Sequence, residues 1–397
     1  MFKSIEDCKV KDRVVFLRAD LNVPIKNGEI LDDTRIRATI PTIIYLTENG
    51  AKVVLASHLG KASGKGFEKE FSLEIVLERL RQLLPTLKFY YSRDCIGPGA
   101  KKIIEDAPWG SVVLLENLRF HREEEENGEA FARELAGLAD IYVNDAFSTC
   151  HRKHASMVGI PALLESYGGI NLIYELDNLT RLVSNPKRPL AVIVGGSKIS
   201  TKLELLRALV RKSDYLVVGG GIANTFLFAQ GVEVGASLRE EELRGEALAL
   251  VAEAERSNCR VLLPVDVVVT DRVTENPRTE VKDTRNLASH DIIADFGPRT
   301  LSLVENSLGL CKTIIWNGPL GIYEISPFDR GTNSIAKFIA AETSQGRVES
   351  VAGGGDILAA LAKASVYDKF TYLTTAGGAF LQWLERGILP AIEKLKS

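Results

Sequence analysis

What most constrains this chain is a rhythm: short unbroken runs of apolar, β-branched residues, each followed by a stretch with leucine and alanine at helical spacing. The first half carries it in RVVFLRA (13–19), AKVVLAS (51–57), SVVLLE (111–116) and ADIYVNDA (139–146), with FSLEIVLERLRQLL (71–84) and GEAFARELAGLA (128–139) reading as helices. It resumes after residue 188 in PLAVIVGG, DYLVVGGG, CRVLLPVDVVVT, KTIIWNG and FTYLTTAGG. A strand that is apolar at successive positions is covered on both faces, so the pattern predicts parallel sheets with helices on either side. With 397 residues, more than one core usually holds, the expectation is two doubly wound, Rossmann-like α/β domains, each three layers deep (α/β/α). The helical run NLIYELDNLTRLVSN stops at PKRP, which places the join near residues 165–190.

Several function classes drop out early. No apolar run approaches the ~20 residues that cross a bilayer. The first residues, MFKSIEDCKVKDR, lack the apolar core of a secretory signal, so a cytoplasmic protein is expected. Cys8, Cys95, Cys150, Cys259 and Cys311 form no CxxC or Cys/His spacing, which argues against a zinc module or disulfide framework. A net charge of −3 offers no general attraction to nucleic acid or anionic membrane, so an anion site must come from local clustering.

In open parallel sheets ligands sit beyond the carboxyl ends of strands, and there the two halves differ. The first half ends its strands in RADLNVP (18–24), SHLGKASGK (57–65), ENLRFHR (116–122) and NDAFSTCHRKH (144–154), with DDTRIRA (32–38) reading as a loop after the first strand. Arg18, Arg35, Arg37, Arg119, Arg122 and Arg152 gather in these segments beside His58, His121, His151 and His154. Converging guanidinium forks suit a small, highly anionic ligand.

The second half has glycine where the first has arginine: VGGSKISTK (194–202), VVGGGIANTF (217–226), LPVDVV (263–268), WNGPLGIYE (316–324), AGGGDI (352–357) and TTAGGAF (374–380). Glycine lets backbone amides approach a phosphate or flat base, and helix N-termini add a favourable dipole. Two common fingerprints fail, since GGGIAN ends in asparagine where GxGxxG needs glycine and GGSKISTK is not GxxxxGK[ST]. Read this way, the residues leave open a nucleotide-dependent kinase, a dehydrogenase of the same architecture, and a non-catalytic nucleotide-binding regulator.

RADLNVP, SHLGK, LLENLRF, NDAFSTCHR, VGGSKISTK, VVGGGIANTF, LPVDVV, WNGPLGIYE, GGGD and TTAGGA stand in the order and spacing of the phosphoglycerate kinase family, and the chain resembles that family throughout. The resemblance implies a hinge enzyme of glycolysis, a phosphotransferase with a carboxyl acceptor, catalysing 1,3-bisphosphoglycerate + MgADP ⇌ 3-phosphoglycerate + MgATP. It implies a substrate-binding domain over 1–170, a hinge helix and linker over 171–188, a nucleotide-binding domain over 189–380, and a tail, 381–397, that packs back on the first domain. It also implies a monomer whose partners are small molecules, without nucleic acid or membrane.

Carried over residue by residue, the resemblance assigns the glycerate to Asp20, Leu21, Asn22, Arg35, His58, Leu59, Gly60, Lys61, Arg119 and Arg152. Nucleotide contacts fall on Gly196, Lys198, Lys202, Gly219, Gly220, Gly221, Glu324, Gly353, Gly354, Gly355, Asp356, Ile357, Gly377 and Gly378. Glu324 would hold the ribose and Asp356 would be the Mg2+ ligand. Arg35, Lys198 and Lys202 would be the catalytic cations. Lys61, Ser148, Ile357 and Ala376 depart from the residues usual in the family. Neither reacting oxygen carries a proton to be removed, so no general base is expected. Alignment and charge stabilisation would do the work after domain closure excludes water.

Overall fold

The computed structural model describes residues 2–275 and 277–396. The chain forms two compact units: one runs to Asp177 and takes in the residues from Ile388 onward, the other is Asn178–Gly387. The division falls inside the helix Ile170–Leu179, between Asp177 and Asn178. No helix among the described residues is long and apolar enough to cross a membrane.

The first unit is built on a six-stranded parallel sheet in the order Phe89–Ser92, Val112–Leu115, Lys52–Ala56, Val14–Ala19, Ile141–Asp145, Glu165–Gly168. Successive side chains of one strand serve opposite cores, which is why the runs are continuously apolar. Val15 and Leu17 pack with Ile43, Leu46 and Leu77 on one face. Phe16 and Val54 pack with Ile104 and Leu135 on the other. Two of these strands, Phe89–Ser92 and Glu165–Gly168, lack an apolar run; both are edges of the sheet, with half-buried and polar positions. The last turns of the chain belong to this unit, where Ala391 N donates to Cys150 O at 3.2 Å and Lys3 N donates to Leu395 O at 2.8 Å.

DDTRIRA is not a loop. Thr34–Glu48 is a helix whose buried face combines Ile36, Ile43 and Leu46 with Thr39, Thr42 and Thr47. Four threonines and Pro41 inside the helix hide its periodicity. Arg35 therefore projects from a helical first turn.

The second unit has a six-stranded parallel sheet ordered Arg260–Leu262, Tyr215–Val218, Leu190–Val194, Thr313–Asn317, Glu349–Gly353, Tyr372–Thr374. In chain order this is 3-2-1-4-5-6, with the reversal between Leu190–Val194 and Thr313–Asn317, where a doubly wound sheet opens its ligand crevice. The run CRVLLPVDVVVT, expected as one strand, is two. Pro264 has no N–H for a ladder, so the parallel sheet ends at Leu262. Asp266–Thr270 instead centres an antiparallel sheet between Glu280–Asp283 and Ile292–Phe296. The helix Gly377–Arg386 stays with the second unit, where Lys212 Nζ donates to Leu384 O at 3.0 Å and Trp383 Nε1 to Ser184 Oγ at 3.3 Å.

Candidate active site

In the first unit, the turn after Val14–Ala19 is folded by its own side chains. Asp20 Oδ1 accepts from Asn22 N at 3.1 Å, and Ser57 Oγ accepts from Leu21 N at 2.9 Å. Asn22 Oδ1 accepts from Gly60 N at 2.8 Å, tying this turn to the next strand's turn. Arg35 Nη1 reaches both Asp20 Oδ2, at 3.0 Å, and Asn22 O, at 3.1 Å. Ser148, the departure in NDAFST, donates its hydroxyl to Asp20 Oδ2.

Around this frame lie the other predicted residues of this half. His58, Leu59 and Arg119 are buried, Arg152 is half-buried and Lys61 is exposed. Gly60 has φ +64°, and a Cβ there would stand 2.3 Å from the Phe71 ring, so both backbone and packing demand glycine. Arg119 Nη1 donates to Gly60 O at 2.8 Å, and its Nε lies 3.0 Å from Glu125 Oε1. Its Nη2 is buried without a partner among the described residues. A buried donor left unpaired costs about 1–3 kcal/mol, a cost that an anionic oxygen would remove. His58 is pushed well below its ordinary value by burial and then by the charges of Arg18, Arg119 and Arg152. Asn22, Arg35, His58, Arg119 and Arg152 are thus gathered around the same strand ends. Lys61 stands outside the buried set.

In the second unit, the glycine turns meet one another first. Cβ atoms at Gly195, Gly220 and Gly221 would lie 1.8 Å from Pro319 O, 2.6 Å from Gly196 O and 2.1 Å from Ser197 O. At Gly219 the obstacle would be Leu320, and at Gly353 the Phe380 ring, at 2.7 and 2.4 Å. These glycines let adjacent strand-end loops lie backbone on backbone. Gly355 is different: nothing lies within 4 Å of its would-be Cβ. It opens the helix Gly355–Lys363, whose N-cap Gly354, at φ +113°, supplies no side-chain cap. The first amides of that helix are therefore free for an external anion. Gly377 and Gly378 begin a second such helix, Gly377–Arg386, also without a side-chain cap.

Lys202 lies at the sheet's reversal point. Its Nζ donates to Gly195 O and to Asn317 Oδ1, each at 2.6 Å, while Asn317 Nδ2 donates to Gly353 O at 2.5 Å. Burial lowers Lys202 to about 8, with the Asp356 charge opposing the shift. Asn317, not singled out in the sequence, is what ties three strand-end loops and the lysine together. Its only signal was a polar residue closing the apolar run KTIIWNG.

Two cavities adjoin here. One, of about 290 Å³, is lined by Gly196, Lys202, Asn317, Gly354, Gly355, Asp356, Ile357 and Gly377. The other, of about 390 Å³, is walled by Leu238, Val273, Ile292 and Tyr323, with Gly196, Gly220, Gly221, Glu324 and Asp356. Asp356 belongs to both, at the exposed start of its helix. Lys198 is exposed on the same loop and lines neither. Ile357 is fully buried in the core with Trp316 and Leu361, beside the smaller cavity. A single carboxylate beside free helix amides fits a hard cation that keeps its waters and takes phosphate oxygens. The one three-residue cluster of potential metal ligands among the described residues, Asp94, Cys95 and His121, lies in the first unit, with Asp94 and His121 bonded to each other at 2.7 Å.

The family model for phosphoglycerate kinase matches residues 5–386. A phosphoglycerate kinase from Chelativorans sp. (strain BNC1) is 45% identical over 396 residues, covering 100% of this chain and 99% of the relative. One from Sinorhizobium medicae (strain WSM419) is 46% identical with the same coverage. Among solved structures, phosphoglycerate kinase from Coxiella burnetii aligns with a TM-score of 0.92 at 41% identity, over 100% of this chain and 99% of that one. The Pyrococcus horikoshii OT3 enzyme aligns at 0.78 and 31% identity, covering 100% and 98%. With strand-end arginines in one unit, strand-end glycines in the other, and matches of this extent, the chain belongs to the phosphoglycerate kinase family.

Proposed function

We propose that the chain transfers a phosphoryl group reversibly between the acyl phosphate of 1,3-bisphosphoglycerate and ADP, giving 3-phosphoglycerate and ATP. The observation that carries this reading is Lys202, half-buried at the sheet reversal beside an uncapped helix that starts at Gly355 and Asp356. A lysine, free amides and a lone carboxylate around one small cavity suit nucleotide phosphates with a divalent cation.

In this reading Arg35, His58, Arg119 and Arg152, with the Asp20–Asn22 turn, hold the three-carbon acid. The smaller cavity holds nucleotide phosphates, and the larger holds the base against its apolar wall, with Glu324 on the ribose. Mg2+ bound with the nucleotide at Asp356 would neutralise phosphate charge. Lys198 and Lys202 face charge that spreads over the transferring phosphoryl oxygens, and Arg35 aligns the acceptor carboxylate. Because the two sets belong to different units, transfer requires closure about the linking segment, 171–188. The carboxylate and the β-phosphate are ionised at neutral pH, so no residue is asked to act as a base.

The test is ATP formation from ADP and 1,3-bisphosphoglycerate, followed with and without magnesium. Magnesium-dependent ATP formation is expected. Nucleotide binding with no transfer would contradict the proposal.

A further inference from the structure

Arg18 sits inside an otherwise apolar strand and is 1% exposed. Its Nε donates to Ser156 Oγ at 2.9 Å and its Nη1 to Ala19 O. Its Nη2 faces His58 Nδ1 at 3.3 Å. Ser156 is anchored in turn. Its N and Oγ donate to the two carboxylate oxygens of fully buried Glu124 at 2.9 and 2.6 Å, and its carbonyl accepts from Tyr142 OH at 2.8 Å. The guanidinium is therefore fixed by a frame that water does not reach.

A guanidinium has donors and no acceptor, so a ring nitrogen bonded to it must offer a lone pair. An imidazole whose Nδ1 accepts while uncharged carries its proton on Nε2. His58 Nε2 makes no hydrogen bond to the described residues and is not among the buried, unpartnered atoms, so it remains available to a ligand. We propose that Arg18 is a positioning residue: it holds His58 as the neutral Nε2–H tautomer, so that His58 presents one directed donor to an oxygen of the three-carbon acid.

The identity of that acid rests on the proposed function; the tautomer does not. The groups acting on His58 from neighbouring elements agree with it. Arg18, Arg119, Arg152 and His154 all oppose a positive charge on the ring, and burial opposes it most. The nearby carboxylate of Glu124 is taken up by Ser156. Charge at this site thus comes from guanidinium groups, and His58 contributes direction. The arrangement also accounts for an arginine at a strand position where an aliphatic residue would pack.

Nitrogen-15 NMR of the imidazole rings in the full chain reads the tautomer directly. The expected wild-type result is His58 with Nδ1 bare, Nε2 protonated and no titration near the ordinary histidine value of about 6.5. In Arg18→Met the ring should mix tautomers or titrate closer to that value, and KM for 3-phosphoglycerate should rise about tenfold or more with a smaller change in kcat. Arg18→Lys, which keeps a donor, should recover part of the loss. A wild-type ring protonated on Nδ1, or titrating near its ordinary value, overturns the proposal whether or not Arg18→Met folds. The expected tautomer in a protein that neither binds nor phosphorylates 3-phosphoglycerate would support the Arg18–His58 arrangement and overturn the substrate reading instead.

Discussion

The two units share an architecture and use opposite materials at their strand ends. The first places side chains there: Arg35 on a helix, Arg119 and Arg152 on turns, and His58 held by Arg18. The second removes side chains, so that loops pack on loops and helix amides stay open, and keeps a half-buried cation, Lys202. Flexible guanidinium forks can be lost one at a time, each at the expense of affinity. A backbone cradle is part of the fold, and damage to it spreads into stability.

The largest effects should come from the charges aligned with the transferring group. Arg35→Ala and Lys202→Ala should each lower kcat by about a hundredfold or more with the fold intact by circular dichroism. Near-normal turnover in either would remove that residue from the chemistry.

Stability should separate the units next. Gly195→Ala puts a Cβ 1.8 Å from Pro319 O and should cost about 3 kcal/mol in denaturant unfolding. Arg152→Ala, half-buried on its turn, should change stability by no more than about 0.5 kcal/mol while weakening 3-phosphoglycerate binding. Equal losses of stability would erase the distinction.

A difference in pH response should follow. Burial sets Lys202 at about 8 in the free protein, so it loses its proton as pH rises through that value. Bound phosphates favour the ammonium form, so ADP binding near pH 8 should take up protons and weaken as pH climbs further. Calorimetry in two buffers of different ionisation enthalpy measures the uptake; none at pH 8 would contradict the lowered value of Lys202. Binding of 3-phosphoglycerate, held by guanidinium groups that stay charged, should be flat across the same range.

The smallest effect concerns Ile357. Its side chain is fully buried in the core. Ile357→Thr should therefore cost about 2 kcal/mol of stability and leave ADP affinity unchanged. Tighter ADP binding would show that the missing hydroxyl matters.

Much of this was legible in the amino-acid sequence because buried parallel strands cannot hide: RVVFLRA and PLAVIVGG announce themselves by continuous burial on two faces. Edge strands such as Phe89–Ser92 did not, since half-exposed positions need no apolar run. The helix carrying Arg35 was masked by threonines that pack on its buried face and by Pro41. Asn317, and the positioning role of Arg18 within the arginine cluster, escaped for a shared reason. Each acts through neighbours distant in sequence, Gly353 and Lys202 for one and His58 and Ser156 for the other. The glycines were visible, but their packing against Pro319, Ser197 and Leu320 emerges only when the loops are brought together.

Each unit is expected to hold its own ligand by its own means. Calorimetric titration of 3-phosphoglycerate and of MgADP into Arg35→Ala and Lys202→Ala tests it crosswise. Arg35→Ala should lose affinity for 3-phosphoglycerate alone and Lys202→Ala for MgADP alone, each by about tenfold or more. Loss of MgADP binding in Arg35→Ala, or of 3-phosphoglycerate binding in Lys202→Ala, would contradict it.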